Sequence, residues 1–298
     1  MRKVQIITDS CSDLTPELME RYHIDYAKMN TVYNGVTSPA DLSWTADDVH
    51  KFYDIIRSGE RITTTQVPLD EFNRVFRKYL DAGCDIVYIG CSLKQSGSVN
   101  TASILAKELM REYAGSTIHC IDSLRSCVCE GMLAIEASKY AEGGASADEV
   151  ARFVSEKRNN TRQFCTVHTL DYLKRAGRVK GSAAFFGNLL GVKPILVADA
   201  DGEQAAFKKV KGRVPSFNEI VSLLKEHIVD GENQTVYLAH ADCKPEEVEM
   251  LKDLIKREVP CKDIYVCYIG PIIGASVGPD AISVFAFGDE QTFRANEK

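Results

Sequence analysis

Over residues 4–158, short apolar runs alternate with capped helical patterns. That alternation commits this half of the chain to a parallel sheet with helices on its faces. "VQIITDS" reads as a strand, and "TPELMERYHI" follows as a helix with Thr15 as N-cap and Pro16 at the first helical position. "TADDVHKFYDIIRSG" repeats the device: Thr45 caps, Asp47 and Asp48 sit in the positive first turn, and Gly59 closes the helix. Helix "PLDEFNRVFRKYLDAG", strand "DIVYIG", helix "SVNTASILAKELMREYAG" and strand "TIHCID" continue the rhythm, and helices over 130–142 and 147–158 complete it.

The second half is patterned differently. "KPILVADADGEQAAFKKV" sets Asp201-Gly202 between two extended runs, a hairpin signal. Helices "SFNEIVSLLKEHI" and "KPEEVEMLKDLIKREV" and strands "TVYLAHA", "DIYVCYIG" and "AISVFAFG" follow. The expected fold class is α/β in two domains. An N-terminal Rossmann-like parallel sheet with flanking helices spans 1–163, and a C-terminal mixed or antiparallel α+β domain spans 164–298, with the junction in the polar cluster at 159–164. The 298 residues suffice for two cores.

Composition excludes several classes. With 45% hydrophobic and 26% charged residues the chain is that of an ordered globular protein. Its 36 Lys and Arg against 42 Asp and Glu give a net charge of −6, with no basic stretch interleaved with aromatics, so no nucleic acid partner is expected. The start "MRKVQIITDS" lacks a signal-peptide core and no uncharged run is long enough to span a bilayer, so the expectation is a cytoplasmic protein with no membrane span. The ten cysteines are scattered through strand-like segments and read as reduced thiols. Only Cys127 and Cys129 are close, a C-x-C pair without a second pair, so neither a metal site nor a cofactor is expected.

Three segments carry more hydroxyls than turns require: Thr8, Ser10 and Ser12 after the first strand, Thr63, Thr64 and Thr65 before the third helix, and Ser92, Ser96 and Ser98 after "DIVYIG". Loops at the carboxyl ends of parallel strands gather on one edge, where the next helices point their N-termini. Such an edge suits an anion, because free amides, the helix dipole and uncharged hydroxyls all donate to it. Gly97, lacking Cβ, lets a ligand oxygen approach the backbone. Each hydroxyl alone also reads as an ordinary N-cap. No G-x-x-x-x-G-K-[ST] or G-x-G-x-x-G motif occurs, so the anion is a carboxylate or small phosphate rather than a nucleotide. Arg178 and Arg213, each near a turn glycine, are candidate positive charges, with a solvated surface role as the alternative for each. The six histidines fall in no triad motif and "KQSGS" is not the G-x-S-x-G elbow; a serine-dependent α/β hydrolase or transferase acting through Ser96 on a small acidic substrate stands as the alternative function.

As a whole the pattern resembles the DegV family of bacterial fatty-acid-binding proteins. The matching pieces run in order: "ITDSCSDL" (7–14), "TTQVP" (64–68) for the family's T-S-Q-P-S, "KQSGSVNTA" (94–102) for L-S-G-T-x-x-S-A, "IDS" (121–123), "LDYLKRAGRV" (170–179), "GNLLGVKPIL" (187–196), "KVKGR" (209–213) and "IGPIIGASVGP" (269–279). The resemblance implies a two-domain protein enclosing a long-chain fatty acid between its domains, with the carboxylate on Thr64 and Ser96. It further implies support from Arg213 and from the late histidine position, here Ser276, and an apolar tunnel for the acyl chain; Thr65 and Gly97, beside Thr64 and Ser96, complete the candidate ligand-binding set. It also implies a carrier that is not itself an enzyme, presenting its ligand to an ATP-dependent fatty acid kinase, whose acyl-phosphate product enters phospholipid synthesis. The chain departs from the family pattern at Ala176 of the family's Gly-Gly-Arg, in Thr64-Thr65-Gln66-Val67-Pro68, and at two positions of its late glycine segment. In G-x-H-x-G-P-G the histidine is replaced by Ser276 and the last glycine by Asp280, so a hydroxyl stands where an imidazole is expected and a carboxylate stands close by.

Overall fold

A computed structural model of the chain describes residues 2–181 and 191–297. In order, its elements are β1 (Val4–Asp9), α1 (Pro16–Arg21), β2 (Asp25–Ala27), β3 (Asn30–Tyr33), β4 (Val36–Pro39), α2 (Ala46–Arg57), β5 (Thr63–Thr65), α3 (Leu69–Asp81), β6 (Asp85–Gly90), α4 (Ser98–Glu112), β7 (Ile118–Asp122), α5 (Val128–Glu142) and α6 (Ala147–Lys157). There follow β8 (Thr161–Thr166), α7 (Asp171–Ala176), β9 (Val192–Ala198), β10 (Gln204–Lys211), α8 (Arg213–His227), β11 (Thr235–His240), α9 (Pro245–Glu258), β12 (Asp263–Tyr268), α10 (Pro271–Val277) and β13 (Ile282–Phe287). Two compact units result: Met1–Ser43 with Thr64–Arg158, and Trp44–Thr63 with Asn159–Lys298.

The first unit holds a parallel sheet of order β2-β1-β6-β7. Four consecutive residues of β6, Ile86 to Ile89, are fully buried, so both faces of the central strand are covered, as a parallel sheet between helices requires. On one face Phe72 and Phe76 of α3 pack their rings against Tyr88, at 5.1 and 6.2 Å between centroids. Helices α5 and α6 pack on each other and on β1 and β7. Because the strands are parallel, Asp9, Gly90 and Asp122 end them on the same edge, and the loops that follow open there. A small sheet of order β4-β3-β5 adjoins. Its strands β3 and β4 were not foreseen, since their residues are half-buried or exposed and show no apolar period.

The second unit is a mixed sheet of order β10-β9-β8-β13-β11-β12, antiparallel except for β11 with β12. The expected hairpin is present: β9 and β10 pair antiparallel, and Gly202 turns with φ 89°. Its core brings Phe217, Ile220 and Leu224 of α8 and Leu251 and Ile255 of α9 onto Phe164, Ile195, Val236 and Val284 of the sheet. Helix α2 belongs to this unit: Tyr53 Oη donates to the Ile269 carbonyl at 2.7 Å, and Arg57 pairs with Asp242 at 2.5 Å. The units therefore divide at Arg158/Asn159 rather than at 163/164, and residues 44–63 go with the second. A cut at 163/164 would sever β8, all six of whose residues are buried.

Candidate functional site

In the first unit the sheet edge is organised by Asp9. Its fully buried carboxylate accepts from Cys11 N (2.8 Å), Cys91 N (3.2 Å) and Tyr88 Oη (2.6 Å), tying the turn after β1 to the loop after β6. Burial pushes its pKa up, while the three donors oppose that shift. Farther along the loop, Gln95 N and Ser96 N both donate to the Ser92 carbonyl, and Ser92 N donates to the Arg125 carbonyl at 2.8 Å. Ser96 is thereby held on a tight turn directly before α4.

The hydroxyls there form a chain. Val67 N donates to Ser98 Oγ (3.1 Å), Ser98 Oγ and Ser96 Oγ lie 2.9 Å apart, and Ser98 N donates to Ser96 Oγ (3.3 Å). Two hydroxyls carry two protons and the link between them uses one. One O–H is left to donate outward, and since Ser98 is fully buried and Ser96 is 9% exposed, the free donor is assigned to Ser96. Helix α4 has Gly97 as N-cap, with no side-chain cap and no acidic residue in its first turn. Each other helix of this unit has an acid in its first turn among the described residues. The positive end of the α4 dipole thus meets no acid from the helix's own first turn.

The β5 segment lies against this loop. Gln66 Nε2 donates to Thr101 Oγ1 (2.8 Å), and Thr65 Oγ1 donates to the Gln66 carbonyl (3.3 Å). Thr64 Oγ1 is half-buried and makes no hydrogen bond among the described residues. Thus the residues directly after Thr64 and Thr65 meet those directly after Ser96: Gln66 touches Gly97 and Thr101, and Val67 N bonds Ser98 Oγ. Gln66 and Ser98 hold that arrangement. Ser98 was one of the hydroxyls noted there, and Gln66 stands inside "TTQVP".

In the second unit Arg213 is the first residue of α8. Its Nη2 donates to Glu247 Oε2 (2.9 Å) and to the Asp280 carbonyl (2.8 Å), its Nε to Glu247 Oε1 (3.2 Å), and the guanidinium stacks 4.7 Å from the Phe217 ring centroid. Nη1 is buried with no hydrogen-bond partner among the described residues. Lys193 Nζ lies 3.0 Å from His168 Nδ1; burial, then the Arg213 charge, holds both groups below their ordinary pKa, against the opposing pull of Asp280 and Glu247. Asp280 is in the left-handed region (φ 61°), as a glycine replacement must be. Its carboxylate is engaged by Arg57 Nη2 at 3.1 Å. Ser276, on α10, makes no side-chain hydrogen bond among the described residues. Arg178 is exposed and donates to the Ala176 carbonyl. Of "GNLLGVKPIL", residues 187–190 lie outside the described residues.

Residues 3–289 match the profile of a family described as "Uncharacterised protein, DegV family". This chain belongs to the DegV family. It is 34% identical over 295 residues to a DegV domain-containing protein of Clostridium perfringens, covering 97% of this chain and 99% of that one. With a DegV domain-containing protein of Caldanaerobacter subterraneus subsp. tengcongensis it shares 30% over 285 residues, covering 96% and 99%. Its fold is that of a DegV lipid binding protein from Thermotoga maritima (TM-score 0.84, 26% identity, 98% of this chain and 100% of that one). It is also that of a DegV family protein from Thermus thermophilus, a structure described for its fatty acid binding (TM-score 0.85, 25% identity, 97% and 100%). The DegV match runs through both units. Among the described residues no helix is long and apolar enough to cross a membrane.

Proposed function

We propose that this DegV protein binds a long-chain fatty acid by its carboxylate, as a carrier rather than a catalyst, and presents it to an ATP-dependent kinase that phosphorylates the carboxylate toward phospholipid synthesis. The observation that carries the reading is the Ser96 hydroxyl beside the N-terminus of α4, a helix with no side-chain cap and no acid in its first turn, with the Thr64 hydroxyl, which makes no hydrogen bond among the described residues, on the adjoining segment. Neutral donors and a helix dipole can hold a carboxylate without burying a permanent counter-charge.

Burying a C16 acyl chain would contribute on the order of 10 kcal/mol before binding costs, enough to keep it from water until a partner receives it. The carrier reading is further supported by the partners of Ser96 Oγ, which are Ser98 Oγ and Ser98 N, neither of them a base able to activate a nucleophile. Organic extraction of the purified protein followed by mass spectrometry should recover a long-chain fatty acid near one equivalent. Recovery of none, together with no binding of added fatty acid, would overturn the reading. For the kinase step, an acyl-phosphate should form only when kinase, ATP and loaded protein are combined.

A further inference from the structure

The same sheet edge gathers three metal-ligating side chains that are far apart in the sequence. Cys11 lies in the 3-10 turn after β1, Cys91 directly follows β6, and Glu130 is in the first turn of α5. Their two Sγ atoms and a carboxylate oxygen lie within 4.8 Å of one another, all buried. A point can therefore be placed within about 2.8 Å of all three, and modest closure reaches Zn–S of ~2.3 Å and Zn–O of ~2.0–2.2 Å.

A second observation is independent of that clustering. Glu130 is fully buried, and although Oε1 accepts from Thr8 Oγ1 at 2.7 Å, Oε2 has no hydrogen-bond partner among the described residues. An acceptor so buried without a donor is costly, and a cation is one group that satisfies it. A soft donor stands alongside: Met29 Sδ is 3.5 Å from Cys11 Sγ.

We infer that Cys11, Cys91 and Glu130 bind a zinc(II) ion, with the fourth position open to Met29 Sδ or solvent. Two thiols select a thiophilic ion over magnesium or calcium, and the carboxylate suits zinc better than copper(I). The sequence contains no local spacing that would show this, because the ligands come from three separate loops of the parallel edge. On binding, the two thiols and the Glu130 carboxyl, which burial keeps protonated in the metal-free protein, release their protons to solvent. The ion would fasten the turn after β1, the start of the loop that carries Ser96, and α5 to one point.

Reduced, chelator-treated full-length protein titrated with zinc(II) should bind one equivalent. Cobalt(II) in its place should give a thiolate-to-cobalt charge-transfer band. Cys11→Ser and Cys91→Ser should each weaken zinc binding about 100-fold or more, Glu130→Gln about 10-fold or more, and Cys261→Ser not at all. Because buried-cysteine variants can fail to fold, the wild-type protein supplies a second reading: zinc should protect Cys11 and Cys91, but not Cys84 or Cys165, from iodoacetamide in mild denaturant. Absence of zinc binding at micromolar concentration, a cobalt complex without the charge-transfer band, or equal labelling of Cys11 and Cys91 with and without zinc overturns the inference.

Discussion

Gln66 Oε1 lies so close over the Cα of Gly97 that a Cβ added there would sit 2.2 Å from it. The backbone of Gly97 (φ −83°) accommodates alanine, so Gly97→Ala forces only the flexible end of Gln66 to move and breaks its bond to Thr101. The expected stability cost is within about 1 kcal/mol, the worth of one exposed hydrogen bond. Fatty-acid affinity should fall roughly 10-fold, since the displaced amide then crowds the α4 N-terminus. Thermal melts beside a fluorescent fatty-acid titration check both; full affinity in the variant would show that this end of α4 does not meet the ligand.

Ser96 and Ser98 are separable by what each mutation changes. Ser96→Ala and Thr64→Ala should each cost about 1.5–3 kcal/mol of ligand affinity, the range for a hydrogen bond to a charged group; Thr64→Ala should leave Tm little changed, whereas Ser96→Ala also strands the buried Ser98 N–H and lowers it. Ser98→Ala should instead cost about 1–3 kcal/mol of stability, because it strands the Val67 N–H, which is fully buried. Paired Tm and binding measurements should show Thr64→Ala losing affinity alone, Ser98→Ala losing mainly stability, and Ser96→Ala losing both.

At Asp280, two effects oppose. Asp280→Gly relieves about 1 kcal/mol of left-handed strain and removes a half-exposed pair with Arg57 that contributes about 0–1 kcal/mol. Its Tm should stay within a few degrees of the parent. Asp280→Val, with a branched Cβ at φ 61°, should lower Tm clearly. Ser276→His should tighten fatty-acid binding by about 1 kcal/mol, the increment of a charge-assisted over a neutral hydrogen bond, and leave binding of the methyl ester unchanged. Equal effects on acid and ester would remove position 276 from the head-group contacts.

His240 gives the second unit a pH dependence. Burial pushes its pKa down to about 4, and Nδ1 accepts from Cys243 N at 3.3 Å, a bond only the neutral ring can make. The unfolded chain takes up this proton near pH 6.5, so between about 6.5 and 4 it binds more protons than the folded protein, and stability falls as pH is lowered through that window. The loss reaches about 3 kcal/mol at its lower end. Denaturant unfolding from pH 7.5 to 4.5 should show this slope flattened in His240→Asn.

Capping chemistry was directly legible. Thr15 and Thr45 cap α1 and α2 as their positions demand, and Asp201-Gly202 turns the β9–β10 hairpin. Strand β8 was not, because "TRQFCT" looks like a solvated linker. Its polar side chains are satisfied inside the fold by residues distant in sequence: Arg162 by Asp289 and His227, Gln163 by Gln204. A buried polar strand has no apolar period to read, and only the partners reveal it. The same limit applied to the candidate residues of each unit. Thr64, Ser96 and Gly97 were visible as hydroxyls and a glycine beside a helix start, whereas the clamp of Glu247 and the Asp280 carbonyl on Arg213 is set by tertiary pairing.

Helix α2 is made early and completed late. Its apolar side chains Val49, Tyr53 and Ile56 are buried in a unit most of which follows residue 158, and the Tyr53 bond to Ile269 spans 216 positions. At ~5–20 residues per second of synthesis, those side chains wait roughly 10–40 s for their partners while the parallel sheet of the first unit can already close. During that interval α2 is an amphipathic helix with an uncovered greasy face, tethered on both sides to a finished domain. The nascent chain is then the form of this protein that most needs a chaperone, and a ribosome stalled near residue 200 should carry a folded first unit with α2 open to protease.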